Sequence, residues 1–262
     1  MQTNPNDKEL SFLEHLVELR SRLLKASLAI LVILLVLLPF SRKLYALLAA
    51  PLTSVLPEGS SMIAIDVASP FLTPFKLALL LALILAIPVV LFQLWAFVAP
   101  ALYREEKRLA RPLLYTSVVL FYAGCAFAYF VVFPLVFGFF TQVAPEGVTV
   151  MTDISKYLDF VMALFLAFGI TFEVPVATII LVATGITTID QLVKARPYIV
   201  VAAFALGMVL TPPDVISQTL LAVPMWLLFE AGIVMSRILL PHRKTRVANP
   251  DSQEPEDPQA TS

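Results

Sequence analysis

Six long apolar runs constrain the fold of this 262-residue chain more than any other feature of its sequence. A helix needs about 20 apolar residues to cross a hydrocarbon core of roughly 30 Å, and the first four runs are long enough to do so. The runs lie near residues 22–40, 75–98, 113–140, 157–185, 198–211 and 217–236. We therefore predict an all-α polytopic membrane protein, with six transmembrane helices in a single membrane domain over residues 1–240.

Composition supports this class of protein. Hydrophobic residues make up 59% of the chain, and charged residues make up only 14%, against about 25% in soluble domains. The first ten residues are polar and no small-residue cleavage site follows the first apolar run, so no cleavable signal peptide is expected. The last segment, residues 241–262, is polar, acidic and rich in proline, which predicts a disordered tail.

The distribution of lysine and arginine predicts the orientation of the chain. With six spans, both termini lie on one side of the membrane, and that side collects 14 of the 18 basic residues. Basic residues are enriched in cytoplasmic loops, so we expect both termini in the cytoplasm. The opposite side holds the remaining four, which are Arg42, Lys43, Lys76 and Lys156.

Four prolines lie inside the apolar runs, where each removes a helical hydrogen bond and tends to kink the helix. They are Pro88, Pro134, Pro175 and Pro224. Kinked helices curve, so we expect the spans to enclose a concave surface.

Sequence signatures of enzymes are missing. The chain has no GxxxxGK[ST] phosphate loop, no HExxH and no GxSxG, and its two histidines, His15 and His242, are far apart. We therefore expect no catalytic activity, no metal site, no cofactor and no nucleic-acid partner.

Two acid-bearing segments flank the membrane on the predicted cytoplasmic side. Glu14 and Glu18 lie four residues apart in the polar stretch before the first span, and Glu18 can pair with Arg22 one helical turn further on. The second segment, residues 99–112, mixes Glu105 and Glu106 with four basic residues. Spacing alone also allows a solvated amphipathic helix and a solvated turn.

One carboxylate lies inside an apolar run. Glu173 interrupts FGITFEVPVAT, and a charge at such a depth costs about 3 kcal/mol or more. It should be protonated, paired or directed at a polar partner. A proton-coupled secondary transporter with Glu173 as the coupling site stays open, although we find no internal repeat. A passive scaffold also stays open.

Several long motifs, in order along the chain, resemble the TatC family, the polytopic subunit of the twin-arginine protein translocase. The resemblance covers about residues 10–240. Its motifs are HLVELRSRL (15–23), SPFLTPFKL (69–77), QLWAFVAPALYREEKR (93–108), FAYFVVFPLVFGFF (127–140), FGITFEVPV (168–176) and LTPPDVISQTLLAVPM (210–225).

The resemblance implies a glove-like concave fold of six helices in the cell inner membrane. It also implies a signal-peptide receptor and core subunit of a translocase that exports folded proteins using the proton-motive force. The implied partners are the single-span subunits TatA and TatB, twin-arginine signal peptides, and further copies in a larger complex.

Carried over position by position, the resemblance implies two groups of site residues. Glu106, rather than Glu105, matches the family's loop acid, and the role of His15 stays open. The residues implied in signal-peptide binding are Glu18, Glu106, Leu19, Arg20, Phe97, Tyr103 and Pro51. The residues implied in docking of a partner helix are Glu173, Met208, Thr211 and Gln218, with Asp214, the last residue of the TPPD turn, as a further polar position.

Overall fold

The protein is described from a computed structural model, which covers residues 5–53, 62–98, 107–136, 138, 152–210 and 215–240. Within these ranges the chain is helical apart from short connections and one isolated parallel bridge between Ile63 and Asp153. The predicted tail, residues 241–262, lies outside the described part. The all-α prediction is confirmed.

The first helix, α1, runs without interruption from Pro5 to Leu37. At 1.5 Å per residue it is about 50 Å long, well beyond the roughly 30 Å of a hydrocarbon core. A 3₁₀ turn, Leu38–Phe40, follows and contains Pro39, which cannot donate a backbone hydrogen bond. Helix α2 then covers Ser41–Thr53. The polar lead-in and the first span are therefore one helix.

The middle of the chain supplies the long central helices. Helix α3 covers Ser69–Val98, and α4 covers Lys107–Phe127 and continues as a π-helical segment, Ala128–Val132. Helix α5, Ile154–Thr171, and helix α6, Val174–Ala183, form one candidate span that breaks at Phe172 and Glu173. Pro175 lies just after this break, whereas α3 continues through Pro88.

The last three helices are a short connector and two helices that form a hairpin. Helix α7, Ile189–Lys194, is a short connector that begins with a capping box between Thr188 and Gln191. Helices α8, Arg196–Leu210, and α9, Val215–Leu239, then pack against each other. At 15 residues α8 is about 22 Å long, which is shorter than a bilayer core.

Within the described ranges, five helical segments are long and apolar enough to cross a membrane, and Arg196–Val209 is a shorter apolar helix. The five are Leu16–Ala49, Ser69–Phe97, Arg111–Val136, Ile154–Ala183 and Leu221–Leu239. They match five of the six predicted spans, and the shorter helix matches the fifth. The chain is therefore a multi-pass membrane protein, while the count of six spans and the position of the termini stay predictions.

Helix packing places the core around α5. Helix α1 packs along α3, α4 packs on α5, and α9 packs between α6 and α8. The largest fully buried side chains include Tyr157, Phe133, Phe168, Leu77, Leu158 and Leu164. The Tyr157 hydroxyl donates to the Leu48 carbonyl oxygen at 3.0 Å, which joins α5 to α2. The described helices thus bury an apolar core, and many of their exposed side chains are also large and apolar.

Two connections that are far apart in sequence meet at the start of α5. Ile63 donates to the Thr152 carbonyl at 3.0 Å, and Ile154 donates to the Ile63 carbonyl at 2.9 Å. The Asp153 carboxylate accepts from the backbone N–H of Ile65 at 2.9 Å and also caps α5. Residues 63–65 are therefore joined to the start of this helix by hydrogen bonds.

Candidate functional site

Glu18 lies on the part of α1 that precedes the apolar run, and its carboxylate pairs with Arg22. The Arg22 Nε donates to Glu18 Oε1 at 3.0 Å, and the Nη2 of the same guanidinium also contacts this oxygen. The acid precedes the base by four residues, which is the favourable orientation on a helix. This confirms the predicted local ion pair and gives Glu18 an arginine partner in the absence of ligand.

The residues that follow Glu18 in the sequence are exposed to solvent. Leu19 and Arg20 are both exposed, while Phe97 is half-buried in the last turn of α3. Pro51 lies in α2, beyond the far end of the first candidate span from Glu18, so these two residues are not brought together. Its role in signal-peptide binding stays a prediction. Four other predicted positions, Glu106, Tyr103, Thr211 and Asp214, lie outside the described residues.

Glu173 lies at the break between α5 and α6. Its backbone N–H donates to the Ile170 carbonyl at 3.0 Å, and its own carbonyl accepts from Ala177 at 2.8 Å. Pro175 has no N–H to continue the hydrogen-bond ladder, which explains why the helix breaks here. Glu173 is half-buried, and its Oε1 is buried without a hydrogen-bond partner among the described residues.

A buried polar pair that the sequence did not indicate reaches the neighbourhood of this acid. The Ser117 side chain on α4 lies near the Glu173 carboxyl group. The Trp95 Nε1 on α3 donates to the Ser117 Oγ at 3.3 Å, and both side chains are buried. A serine within an apolar run gives no signal of such contacts, because they depend on how α3, α4 and the α5–α6 break pack.

The predicted docking residues of the hairpin lie on both of its helices. Met208 is exposed on α8, and Gln218 is half-buried near the start of α9. A side chain at Gly207 would lie 3.5 Å from the Gln218 carbonyl oxygen, so α8 and α9 approach closely at this level. Among the described residues, no cluster of three or more acidic, histidine or cysteine side chains could hold a metal ion.

Comparison with known proteins gives a consistent result over most of the chain. The family model for the Sec-independent protein translocase protein (TatC) matches residues 14–224. A TatC from Azotobacter chroococcum mcd 1 is 57% identical over 95% of this chain and 98% of its own length. The TatC of Escherichia coli K12 is 58% identical over 88% of this chain and 90% of its own length.

Solved structures agree with the sequence comparisons. A crystal structure described as the twin arginine translocase receptor TatC is 37% identical and superimposes with a TM-score of 0.76. It covers 86% of this chain, which in turn covers 98% of that structure. The residues that the family model matches, 14–224, include Glu18, Glu173 and the predicted docking positions of the hairpin. From its sequence motifs, its helical fold and these comparisons, the chain belongs to the TatC family of Sec-independent protein translocase proteins.

Proposed function

We propose that this chain is the signal-peptide receptor and core subunit of a twin-arginine translocase in the cytoplasmic inner membrane, with both termini in the cytoplasm. The observation that carries the proposal is the ion pair between Glu18 and Arg22, on a helix that extends past its own span. The Glu18 carboxylate already binds the guanidinium of Arg22. An arginine of the signal peptide carries the same group and can take the place of Arg22.

Arginine suits such a site better than lysine. A guanidinium is planar and can form two parallel hydrogen bonds with one carboxylate, whereas an ammonium group acts as a point charge. Glu18 supplies one carboxylate, and we propose that Glu106 supplies a second for the adjacent arginine. Leu19, Arg20, Phe97, Tyr103 and Pro51 are the supporting positions that the family resemblance implies.

A second part of the proposal concerns the membrane-embedded polar groups. A polar side chain on a single-span partner needs a hydrogen-bond partner within the bilayer. Glu173, together with Met208, Thr211 and Gln218, offers such groups to the helices of TatA and TatB. Asp214, in the sequence between α8 and α9, is a further polar position that the family resemblance implies. No nucleotide-binding motif is present in the sequence, in keeping with transport driven by the proton-motive force.

The receptor role is tested by photo-crosslinking a labelled signal peptide to a probe beside Glu18 or Glu106 in reconstituted membranes. A peptide with an Arg-Arg pair should crosslink strongly, and the same peptide with Lys-Lys should crosslink weakly. Glu18→Gln should reduce the Arg-Arg signal, whereas Glu14→Gln, one turn away on the same helix, should leave it unchanged. Equal crosslinking of the Arg-Arg and Lys-Lys peptides would contradict the proposed receptor role.

The alternative of a proton-coupled solute transporter has lost its support, because the chain belongs to a family of protein translocases. Self-association and assembly with TatA and TatB are tested by isolating the complex from membranes and measuring its mass. A mass equal to that of one chain with its detergent would contradict the proposed larger complex.

A further inference from the structure

An ion pair joins α3 and α5 on the exposed surface of two candidate spans. The Lys76 Nζ donates to the Asp159 Oδ1 at 3.0 Å, and 83 residues separate the two in sequence. Both residues lie within apolar spans, Ser69–Phe97 and Ile154–Ala183. Their side chains are 42% and 48% exposed, so the described helices do not enclose the pair. Charges in such a position have to meet either water or the polar part of a lipid.

The position of the pair along the two spans corresponds to the border between headgroups and hydrocarbon. A bilayer has a core of about 30 Å within a total of about 40–45 Å, which leaves roughly 5–8 Å of headgroup region on each side. At about 1.5 Å per residue, Asp159 lies about 7 Å from the start of its span, and Lys76 about 10 Å from the start of its own. A lysine side chain extends its ammonium group toward the headgroups. Both charges are therefore within reach of phospholipid headgroups.

The surface beside Lys76 on α3 is apolar. Leu72 precedes it by four residues and Leu79 follows it by three, so both share its face of the helix. Both leucine side chains are exposed. An acyl chain can lie along them while the headgroup of the same lipid reaches the ion pair.

The other two ion pairs that the described residues form are in different surroundings. Glu18 and Arg22 lie within one helix, on the polar stretch that precedes the apolar run. The Glu230 side chain, which pairs with Arg196, is only 22% exposed. The pair between Lys76 and Asp159 therefore differs in presenting two opposite charges side by side on an apolar surface.

Each charged group has bonding capacity beyond this contact. An ammonium group has three donors, and a carboxylate has two oxygens that accept. The bond between Lys76 and Asp159 uses one donor and one oxygen. An anion alone could bond the lysine, but it would lie next to the negative charge of the aspartate. A ligand that carries an anion and a hydrogen-bonding cation close together matches both groups.

We propose that Lys76 and Asp159 bind the headgroup of phosphatidylethanolamine, with the lipid phosphate on the Lys76 ammonium and the lipid ammonium on the Asp159 carboxylate. Each charge of the headgroup then lies next to an opposite charge of the protein. Phosphatidylcholine carries a quaternary ammonium without an N–H, so it cannot donate to Asp159. Phosphatidylglycerol carries the phosphate but no cation. This site is independent of the receptor and docking roles proposed above.

The preference is tested by native mass spectrometry of the purified full-length chain in detergent. The protein is mixed with equal amounts of phosphatidylethanolamine and phosphatidylcholine that have identical acyl chains, and then with phosphatidylethanolamine and phosphatidylglycerol. Adducts of phosphatidylethanolamine should predominate about fivefold in both mixtures, the upper range for one exposed charge pair. Equal adducts of phosphatidylethanolamine and phosphatidylcholine would overturn the proposal, and this comparison needs no variant.

Variants then assign the preference to this pair. Lys76→Gln and Asp159→Asn should each bring the ratio of phosphatidylethanolamine to phosphatidylcholine adducts close to one. Lys156→Gln, at an exposed residue one turn before Asp159 on α5, is the matched control and should keep the wild-type ratio. Thermal unfolding in detergent shows whether each variant is folded, and added phosphatidylethanolamine should raise the melting temperature of the wild type more than that of either variant. An unchanged ratio in the folded variants would place the lipid elsewhere and overturn the proposal.

A soluble compound with the same charges separates a lipid site from a site for a small solute. Phosphoethanolamine has the phosphate and the ammonium but no acyl chains. In excess it should displace little phosphatidylethanolamine from the wild type, because it lacks the contacts with the apolar surface. Equal competition by phosphoethanolamine and by the lipid would show that the acyl chains contribute nothing, and would contradict a lipid site.

Discussion

The guanidinium of Arg196, at the first residue of α8, bonds the carboxylate of Glu230 on α9 at 2.6 Å. Thirty-four residues separate the two in sequence. The contact therefore joins the helices of the hairpin at the end away from their connection at residues 211–214. It also fixes the corner where the short α7 leads into α8. An ion pair thus holds together a hairpin whose first helix is too short to span a bilayer core unaided.

Removing this ion pair should loosen the hairpin. Glu230→Ala leaves Arg196 without its counter-ion, and we expect a loss of about 1 kcal/mol, the upper range for partly exposed pairs. The measurement is thermal unfolding of the purified protein in detergent. Lys194→Ala, an exposed residue at the end of α7, is the matched control and should change little. An equal loss in both variants would contradict the structural role of the pair.

Substituting Glu18 should weaken binding of a twin-arginine peptide. Glu18→Gln removes one charged hydrogen-bond acceptor, and we expect a loss of about 1.5–3 kcal/mol, or roughly 10- to 100-fold in affinity. Binding should also weaken as salt is added, because exposed charges are screened. Fluorescence anisotropy of a labelled peptide measures both effects. Unchanged affinity in Glu18→Gln would contradict the receptor site.

Glu173 and Glu18 should be separable by function. Glu173→Ala is expected to reduce crosslinking to a single-span partner while leaving signal-peptide affinity unchanged, because the two acids lie on different helices at different depths. Glu18→Gln should show the opposite pattern. Loss of both activities in either variant, with the fold intact, would count against two separate sites.

Asp153 should make the anchored loop sensitive to acid. The backbone N–H of Ile65, followed by that of Lys156, lowers the pKa of the Asp153 carboxyl below its usual value. A lowered pKa in the folded state means that the ionised carboxylate stabilises the fold above the unfolded pKa of about 3.9. This contribution is lost as the pH falls through the folded pKa.

Thermal unfolding between about pH 2 and pH 5, a range that extends below the unfolded pKa of a carboxyl group, measures this dependence. Asp153→Asn keeps an oxygen that can accept from Ile65, but it cannot ionise. The melting temperature of Asp153→Asn should fall less in acid than that of the wild type. Parallel acid profiles for the two proteins would contradict a contribution from the ionised carboxylate.

Gly232 should not tolerate a side chain. A Cβ atom there would lie 2.9 Å from the Pro175 Cα, in the backbone of α6, so α9 would have to move away. Overpacking of this kind costs about 1–3 kcal/mol. Gly207→Ala is the control, since its Cβ would meet its nearest neighbour at an ordinary 3.5 Å. The melting temperature should fall for Gly232→Ala and stay level for Gly207→Ala.

Hydropathy was sufficient to predict the helices, because each apolar run has to be covered by lipid or by another helix. Charge spacing was sufficient for the contact between Glu18 and Arg22, which is local and depends only on one helical turn. The resemblance to a family then indicated which acids to consider. None of these signals requires knowledge of how the helices pack.

Contacts between distant segments could not be predicted in the same way. Nothing in the sequence indicates that Trp95 bonds Ser117, or that Arg196 bonds Glu230. Each contact depends on how the helices are rotated about their axes. Rotating one helix by the angle between two consecutive residues would break the contact. The bridge between Ile63 and Asp153 joins loops 90 residues apart and has the same origin.

The unbroken helix from Pro5 to Leu37 has a mechanical consequence. No interruption separates the part of the helix that carries Glu18 from the part that crosses the membrane, over a length of about 50 Å. The first interruption is the 3₁₀ turn at Leu38–Phe40. If a peptide binds at Glu18, we therefore expect any displacement to be carried as one unit along α1, against α3, as far as this turn.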